Sequence, residues 1–226
     1  MKKYKYVVVS GCSFSASDLE NLVNPGETYG DIVANHYGAK FYNLGKSGGS
    51  LHRTNRKILE WCGENKDKFK DTLIIVGMTS LGRLEVWSNR LNRWYNHSDY
   101  LQTDVHLPPD LFKFDWSLDE RKKWFMNFYN HSAEFTIANN ILIGLQSFLT
   151  LNNIDHIFFD ALYPPEKEWD DLVSMENWYE HPKYSCFEEL TESSLEMRYS
   201  EDDTHPSKKA HKYWGEKLLE FINEKI

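Results

Sequence analysis

Long apolar runs, cysteine and clustered positive charge are all scarce in this 226-residue sequence. No apolar run approaches the roughly 18 residues that a membrane-spanning helix requires. The opening Met1-Lys2-Lys3-Tyr4-Lys5-Tyr6 has the charge of an export signal's start. The apolar stretch behind it is only Val7-Val8-Val9, short of the roughly seven residues of a signal core. A cytoplasmic protein that begins at its first core strand is expected. Cys12, Cys62 and Cys186 lie far apart without a C-x-x-C spacing. That excludes a disulfide framework and a cysteine-based structural zinc site. Lys and Arg number 26 against 34 Asp and Glu, a net charge of -8. A nucleic-acid surface needs clustered cations to neutralise phosphates, so no nucleic-acid partner is expected. Linkers of Gly/Ser or Pro type and internal repeats are also missing, so a single domain over 1–226 is expected.

What is present is enough to build a core: 41% hydrophobic residues, with aromatics at 15%. Tyr4–Ser10 reads as a first strand, Tyr29–Tyr37 as a helix and Lys40–Leu44 as a short strand. Leu51–Glu64 reads as a helix, with Ser50 its N-cap candidate. Thr72–Val76 and Ile154–Asp160 are continuous apolar strands, the pattern of strands buried on both faces. A long helix is expected from Leu118 to about Asn152, and a last helix from Pro206 to Asn223 with Ser207 inside its first turn. The stretches 84–118 and 163–200 are irregular and hold five of the eight tryptophans, Trp87, Trp94, Trp116, Trp169 and Trp178, with Trp124 just beyond the first. Core packing is the expected role for most of these rings. Strands alternating with helices imply an α/β fold, with a parallel sheet covered on both faces and the two irregular stretches as insertions.

Ligand sites of open parallel sheets gather at the carboxyl ends of strands. Gly11–Ser13, Gly45–Ser50 and Gly77–Ser80 all lie at such ends. Ser13 in a Gly turn is either a plain turn residue or a nucleophile. Cys12 is a rival nucleophile or a small buried hydrophobe. Near the C-terminus, Asp202-Asp203-Thr204-His205-Pro206-Ser207 contains a D-x-x-H pair close enough for a carboxylate to orient the ring. Asp202, Asp203, His205 and His211 offer a metal cluster as a second reading. The six-residue gap between the histidines does not put them on one helical face. Gly45-Lys46-Ser47 lacks the upstream Gly of a phosphate loop, because position 40 is Lys.

These blocks together resemble the SGNH/GDSL hydrolase superfamily, in order and across nearly the whole chain. Gly11-Cys12-Ser13-Phe14 is similar to its first block and Asn43-Leu44-Gly45-Lys46-Ser47-Gly48-Gly49 to its second. Gly77-Met78-Thr79-Ser80 stands where a G-x-N-D block is found, and Asp202-x-x-His205 is similar to the last. The resemblance implies a three-layer α/β/α sandwich with a central, mostly parallel, flavodoxin-like sheet. It also implies Ser13 as nucleophile, His205 as base and Asp202 orienting His205. The N–H groups of Ser13 and Gly48 would form the oxyanion site. Cys12 departs from the first block, and the third-block Asn is missing. Thr79 or Ser80 stands in its place, with Thr79 expected to do part of its work. Arg83 is expected either to contact an anionic or sugar substrate or to pair with Glu85 or another carboxylate.

The expected activity is hydrolysis of a carboxylic ester through an acyl-enzyme on Ser13, without cofactor or metal. The expected substrate is a small-molecule or carbohydrate ester. The alternatives are a non-catalytic glycan- or peptide-binding protein on the same fold and an O-acyltransferase, in which a sugar hydroxyl replaces water.

Overall fold

Val7, Val8 and Val9 are apolar and β-branched at consecutive positions, a pattern that a strand satisfies only when both faces are covered. The computed structural model describes residues 4–16, 26–88, 93–97, 123, 127, 130–164 and 171–225. In chain order its elements begin with β1 (Tyr6–Ser10), α1 (Tyr29–Tyr37), β2 (Lys40–Asn43), α2 (Leu51–Glu64), a 3-10 turn (Lys66–Asp71) and β3 (Thr72–Met78). Then come β4 (Leu84–Ser88), β5 (Arg93–His97), α3 (His131–Leu151), β6 (Asp155–Asp160), β7 (Trp178–Tyr179), α4 (Phe187–Glu192) and α5 (Lys208–Lys225). Five strands form one parallel sheet in the order β2-β1-β3-β6-β7, and β4 pairs with β5 as a separate antiparallel ribbon.

The period-2 alternation of strand side chains divides the core. Val7 and Val9, with Leu73, Ile75, Ile157 and Phe159, face α1 and α5, where Tyr29, Val33, Trp214 and Leu218 are buried. Val8, Ile74, Val76 and Phe158 face α2 and α3, where Ile58, Trp61, Leu142 and Leu145 are buried. This is a three-layer α/β/α sandwich.

Helix boundaries follow local chemistry. Thr28 Oγ1 accepts from Asp31 N–H at 3.2 Å while Asp31 accepts from Thr28 N–H at 3.0 Å, a reciprocal capping box at the start of α1. Ser50 caps α2 by accepting from Arg53 N–H at 3.1 Å. The helix that ends at Leu151 begins at His131, capped by Asn130; Lys123 and Asn127 before the cap are also helical, and the expected start at Leu118 lies outside the described residues. Asn130 Oδ1 accepts from Ala133 N–H and stops the helix from extending backward. Ser207 precedes α5, with its hydroxyl accepting from Ala210 N–H at 3.2 Å. It therefore caps the last helix from outside rather than lying within its first turn.

The stretches read as irregular carry ordered elements where they are described: the β4–β5 ribbon, β7 and α4. Two residues of strand give no periodicity to detect in β7. Of the tryptophans there, Trp178 is buried and stacks on Phe158 at 5.6 Å, a core role. Trp94 is exposed and lies under the Arg56 guanidinium. Trp116, Trp124, Trp169 and the side chain of Trp87 lie outside the described residues. Among the described residues no helix is long and apolar enough to cross a membrane.

Asp160 ends β6, and its Oδ2 accepts the Trp178 indole N–H at 3.1 Å. Burial pushes the Asp160 carboxyl up from 3.8 to about 7, with Glu180 adding to the rise and the indole bond opposing it. A carboxyl raised in the folded state contributes stability in full below 3.8 and loses it as pH climbs toward 7. Asp160→Asn keeps an acceptor for the indole and removes the charge. Its melting temperature should match the wild type near the bottom of that window, exceed it increasingly up to pH 7 and hold a constant lead above. Melts recorded across the window check this; a gap independent of pH shows that Asp160 ionises equally easily in both states.

Candidate active site

β1 ends at Ser10, and the chain folds into a tight turn in which Ser15 and Ala16 N–H groups both donate to the Cys12 carbonyl at 3.0 Å. This turn lifts Ser13 to the carboxyl edge of the sheet. Ser13 retains 5% exposure, while Cys12 beside it has none, so the rival nucleophile faces the core. Among the described residues, neither the Ser13 hydroxyl nor its backbone N–H makes a hydrogen bond.

Ser15 fixes the turn from behind. Its Oγ accepts from Tyr29 O–H at 2.8 Å, and its carbonyl accepts from Asn43 Nδ2 at 2.9 Å. Asn43 Oδ1 in turn accepts from Gly45 N–H at 2.9 Å. One side chain at the end of β2 thus connects the Ser13 turn to the second loop. That loop lies against the turn, with Lys46 N–H donating to the Gly11 carbonyl at 3.2 Å. A Cβ on Gly49 would stand 2.8 Å from the carbonyl oxygens of Gly11 and Lys46, so only Gly permits this approach. Gly48 has a φ of 68, in the left-handed region that Gly enters without strain. Its N–H, like that of Ser13, has no partner among the described residues.

At the third strand end, Thr79 does not fit the expected role. Thr79 Oγ1 donates to the Gly49 carbonyl at 3.0 Å and accepts from Arg83 Nη1 at 3.1 Å. A hydroxyl has one proton, and this one is committed to the Gly49 carbonyl. Thr79 therefore braces the second loop and has no donor left for an oxyanion. The Ser80 carbonyl accepts from Arg83 N–H at 3.3 Å and closes the turn that carries Arg83. The expected Arg83–Glu85 pair does not form. Glu85 takes a two-pronged contact from Arg56, at 2.7 Å on each prong, and Arg83 turns inward with 7% exposure.

The loop between α4 and α5 brings a second correction. Residues 198–206 form a small hairpin closed by an Arg198–Pro206 bridge, by Tyr199 N–H on the His205 carbonyl and by Ser200 N–H on the Asp203 carbonyl. Asp203, not Asp202, holds the histidine. Asp203 Oδ1 accepts from His205 N–H at 2.9 Å and meets His205 Nδ1 at 2.6 Å. The reason is local. An aspartate side chain bonds most readily to the backbone two residues on, and that turn points its carboxylate at residue 205. Asp202 is exposed. Burial alone raises the Asp203 carboxyl, but the His205 backbone N–H and ring outweigh it and leave it below the usual value. With Nδ1 facing a carboxylate, the tautomer assigned to the ring carries its proton there and leaves Nε2 as an acceptor.

The His205 ring packs against Phe14 with centroids 5.6 Å apart, beside the Ser13 turn. No hydrogen bond joins Ser13 and His205. His211 is elsewhere: fully buried, it accepts Tyr29 N–H on Nδ1 at 3.3 Å, and burial pushes it down to about 3. That removes it from the alternative metal cluster. Glu188 on α4 completes the surroundings. Burial raises its carboxyl, opposed by Tyr163 N–H at 3.3 Å and by the positive fields of Arg83 and His205. Sequence reasoning missed Asp203, Tyr29, Asn43 and Glu188. Only Asp203 left a signal, in its two-residue spacing from His205.

A family profile described as a family of unknown function (DUF6071) matches residues 20–224. No curated protein sequence matches the chain. Among solved structures, the psychrotrophic esterase EstA from Pseudoalteromonas sp. superposes with a TM-score of 0.54 at 10% identity, over 97% of each chain. A member of the lipolytic G-D-S-L family from Veillonella parvula gives 0.51 at 12%, over 96% of this chain and 98% of that one. The acetyl xylan esterase Est2A from Butyrivibrio proteoclasticus gives 0.54 at 11%, over all of this chain and 65% of that one. The likeness to these two esterases and to the lipolytic G-D-S-L protein is one of fold.

The packing of the strand ends on Ser15 generates a double-mutant test. A Cβ at Gly77 would lie 2.8 Å from Ser15 Oγ and 3.1 Å from the Phe159 ring. Gly77→Ala should destabilise the fold by about 1–3 kcal/mol through overpacking. Ser15→Ala should also destabilise, because the buried Tyr29 hydroxyl loses its acceptor. Combined, the two should cost less than their sum by at least about 0.5 kcal/mol, since the first clash is then relieved. Denaturant melts of the four proteins measure this; strict additivity would place the clash elsewhere.

Proposed function

The chain belongs to the family of unknown function DUF6071, and from its site we propose that it is a serine hydrolase cleaving a carboxylic ester. The observation that carries the reading is the His205 ring, held on Nδ1 by Asp203 at 2.6 Å and packed on Phe14 beside Ser13. Ser13 Oγ attacks the ester carbonyl carbon and passes its proton to His205 Nε2. The N–H groups of Ser13 and Gly48 receive the negative charge that develops on the carbonyl oxygen. The C–O bond breaks, the departing alcohol takes the proton from His205, and an acyl group remains on Ser13. Water then attacks, with His205 again removing a proton, and the acid and free Ser13 result. In this reading the Ser13–His205 hydrogen bond forms in the substrate complex, since catalytic hydrogen bonds are commonly long or unmade without substrate.

The substrate class in this reading is a small acyl group carried on a carbohydrate. The fold shared with an acetyl xylan esterase supports it.

A fluorophosphonate probe read by intact mass tests the nucleophile. Wild type should gain one adduct and Ser13→Ala none. On an activated acetate, Asp203→Asn should lower kcat by at least about 10²-fold through loss of the oriented base. Asp202→Asn should leave it unchanged. A wild type that takes no adduct yet binds an acetylated oligosaccharide is a binding protein, and the hydrolase reading then fails.

A further inference from the structure

The face of the sandwich covered by α2 and α3 carries a groove of about 610 Å³, within the roughly 300–1,000 Å³ of small-molecule sites. α2 joins the end of β2 to the start of β3, and α3 leads into the start of β6, so both helices run antiparallel to the strands they cover. His52, Asn55 and Leu59 share one face of α2 at spacings of three and four residues. Ile137, Ile141, Gly144 and Phe148 share one face of α3 in the same way. The common direction of the helices puts His52, Asn55 and Asn140 toward the carboxyl edge of the sheet and Leu59 and Phe148 toward the opposite edge. Leu59 and Ile137 remain 38% and 39% exposed, although both line the same hollow.

Three observations bear on what the groove holds. Its polar groups are unspent: His52 Nδ1 is buried without a hydrogen-bond partner, and neither Asn55 nor Asn140 makes a side-chain hydrogen bond among the described residues. Burial lowers the His52 pKa, against the field of Glu85, and so favours the neutral ring. Among the described residues no charged side chain lines the groove, so an ionic group entering it would lose hydration without gaining a counter-charge. And Gly144 lies inside the 21-residue helix α3, where glycine costs stability relative to alanine. A Cβ there would meet nothing beyond its own stretch of helix within 4 Å, so packing does not require the glycine. What the glycine provides is room.

We propose that the α2–α3 groove binds a neutral amphipathic small molecule, with its apolar body against Leu59, Leu145 and Phe148 and a carbonyl or carboxamide end on His52, Asn55 and Asn140. A neutral imidazole offers one donor and one acceptor, and each asparagine carboxamide offers both, so an uncharged carbonyl or amide finds partners without an ion being buried. The apolar wall supplies the affinity, and the few polar groups fix the orientation. The groove shares no residue with the Ser13 and His205 site and does not depend on the ester-hydrolase reading.

The test titrates the full chain with Prodan, a neutral naphthalene ketone whose emission shifts to the blue in an apolar site. Wild type should bind one molecule saturably, and Ser13→Ala should bind it equally well. Octanamide, neutral and ending in a carboxamide, should displace the dye, while octanoate should need at least about tenfold more. Gly144→Leu should weaken Prodan binding at least about tenfold with a melting temperature at or above that of wild type, because the leucine side chain enters the groove and favours the helix. The double variant His52→Leu/Asn140→Leu should weaken octanamide at least about fivefold, the scale of one neutral hydrogen bond. If Gly144→Leu melts below wild type, the double variant carries the decision. A wild type without saturable binding overturns the proposal, as does unchanged affinity in both variants or equal displacement by octanoate. Loss of binding in Ser13→Ala moves the dye to the catalytic turn and overturns it as well.

Discussion

Ser15 Oγ is the point on which the carboxyl edge of the sheet is assembled. It is fully buried, it accepts the Tyr29 hydroxyl at 2.8 Å, and it occupies the space that a side chain on Gly11 or Gly77 would fill. Through it, the end of β1, the end of β3 and helix α1 share one fixed distance. The Ser15 carbonyl extends the same constraint to β2 through Asn43. Interiors are packed densely enough that such a contact cannot be loosened locally. The position of Ser13 two residues earlier is therefore a consequence of packing beneath it. The burial of Tyr29, whose hydroxyl is pushed well above its usual pKa, keeps that donor protonated at any ordinary pH.

Above this base, the polar groups are arranged by competition for single hydrogen bonds. Thr79 has one proton, and the Gly49 carbonyl takes it. Asn43 spends its amide on the Ser15 carbonyl and its oxygen on Gly45, so both halves of the carboxamide join loops. Asp203 divides its oxygen between the backbone and ring of the same histidine. Each choice leaves a neighbour in a defined state: Arg83 with an acceptor facing inward, Gly48 with its N–H open and His205 with Nε2 facing away from the carboxylate. The chemistry proposed for the site follows from what these bonds leave over.

The charge distribution carries a related logic. Arg56 and Arg83 both lie near the base of the β4–β5 ribbon, but a two-pronged contact to the largely buried Glu85 side chain satisfies the fork geometry of Arg56. Arg83 is buried and donates to Thr79. The two arginines thus meet different partners, one fastening a ribbon to α2 and one donating to Thr79.

The sequence by itself determined the layers. Val7-Val8-Val9, Thr72–Val76 and Ile154–Asp160 can be buried only as strands covered twice, and the bounds of α1 and α2 follow from apolar spacing and from the Ser50 cap. These are short-range effects, encoded within a few residues of where they act. The order of the Ser13, Gly48, Thr79 and His205 blocks, and the place of the first three at strand ends, was legible for the same reason. The tertiary structure alone decided which side chains those blocks use. Whether Asp202 or Asp203 reaches the ring depends on a hairpin closed between residues 198 and 206. Whether Thr79 donates outward or inward depends on a carbonyl thirty residues away. Glu85, the near neighbour of Arg83, is held instead by Arg56 on α2. A hydrogen bond goes to the partner that folding brings within about 3 Å, and sequence distance says little about that partner once the chain has crossed the sheet.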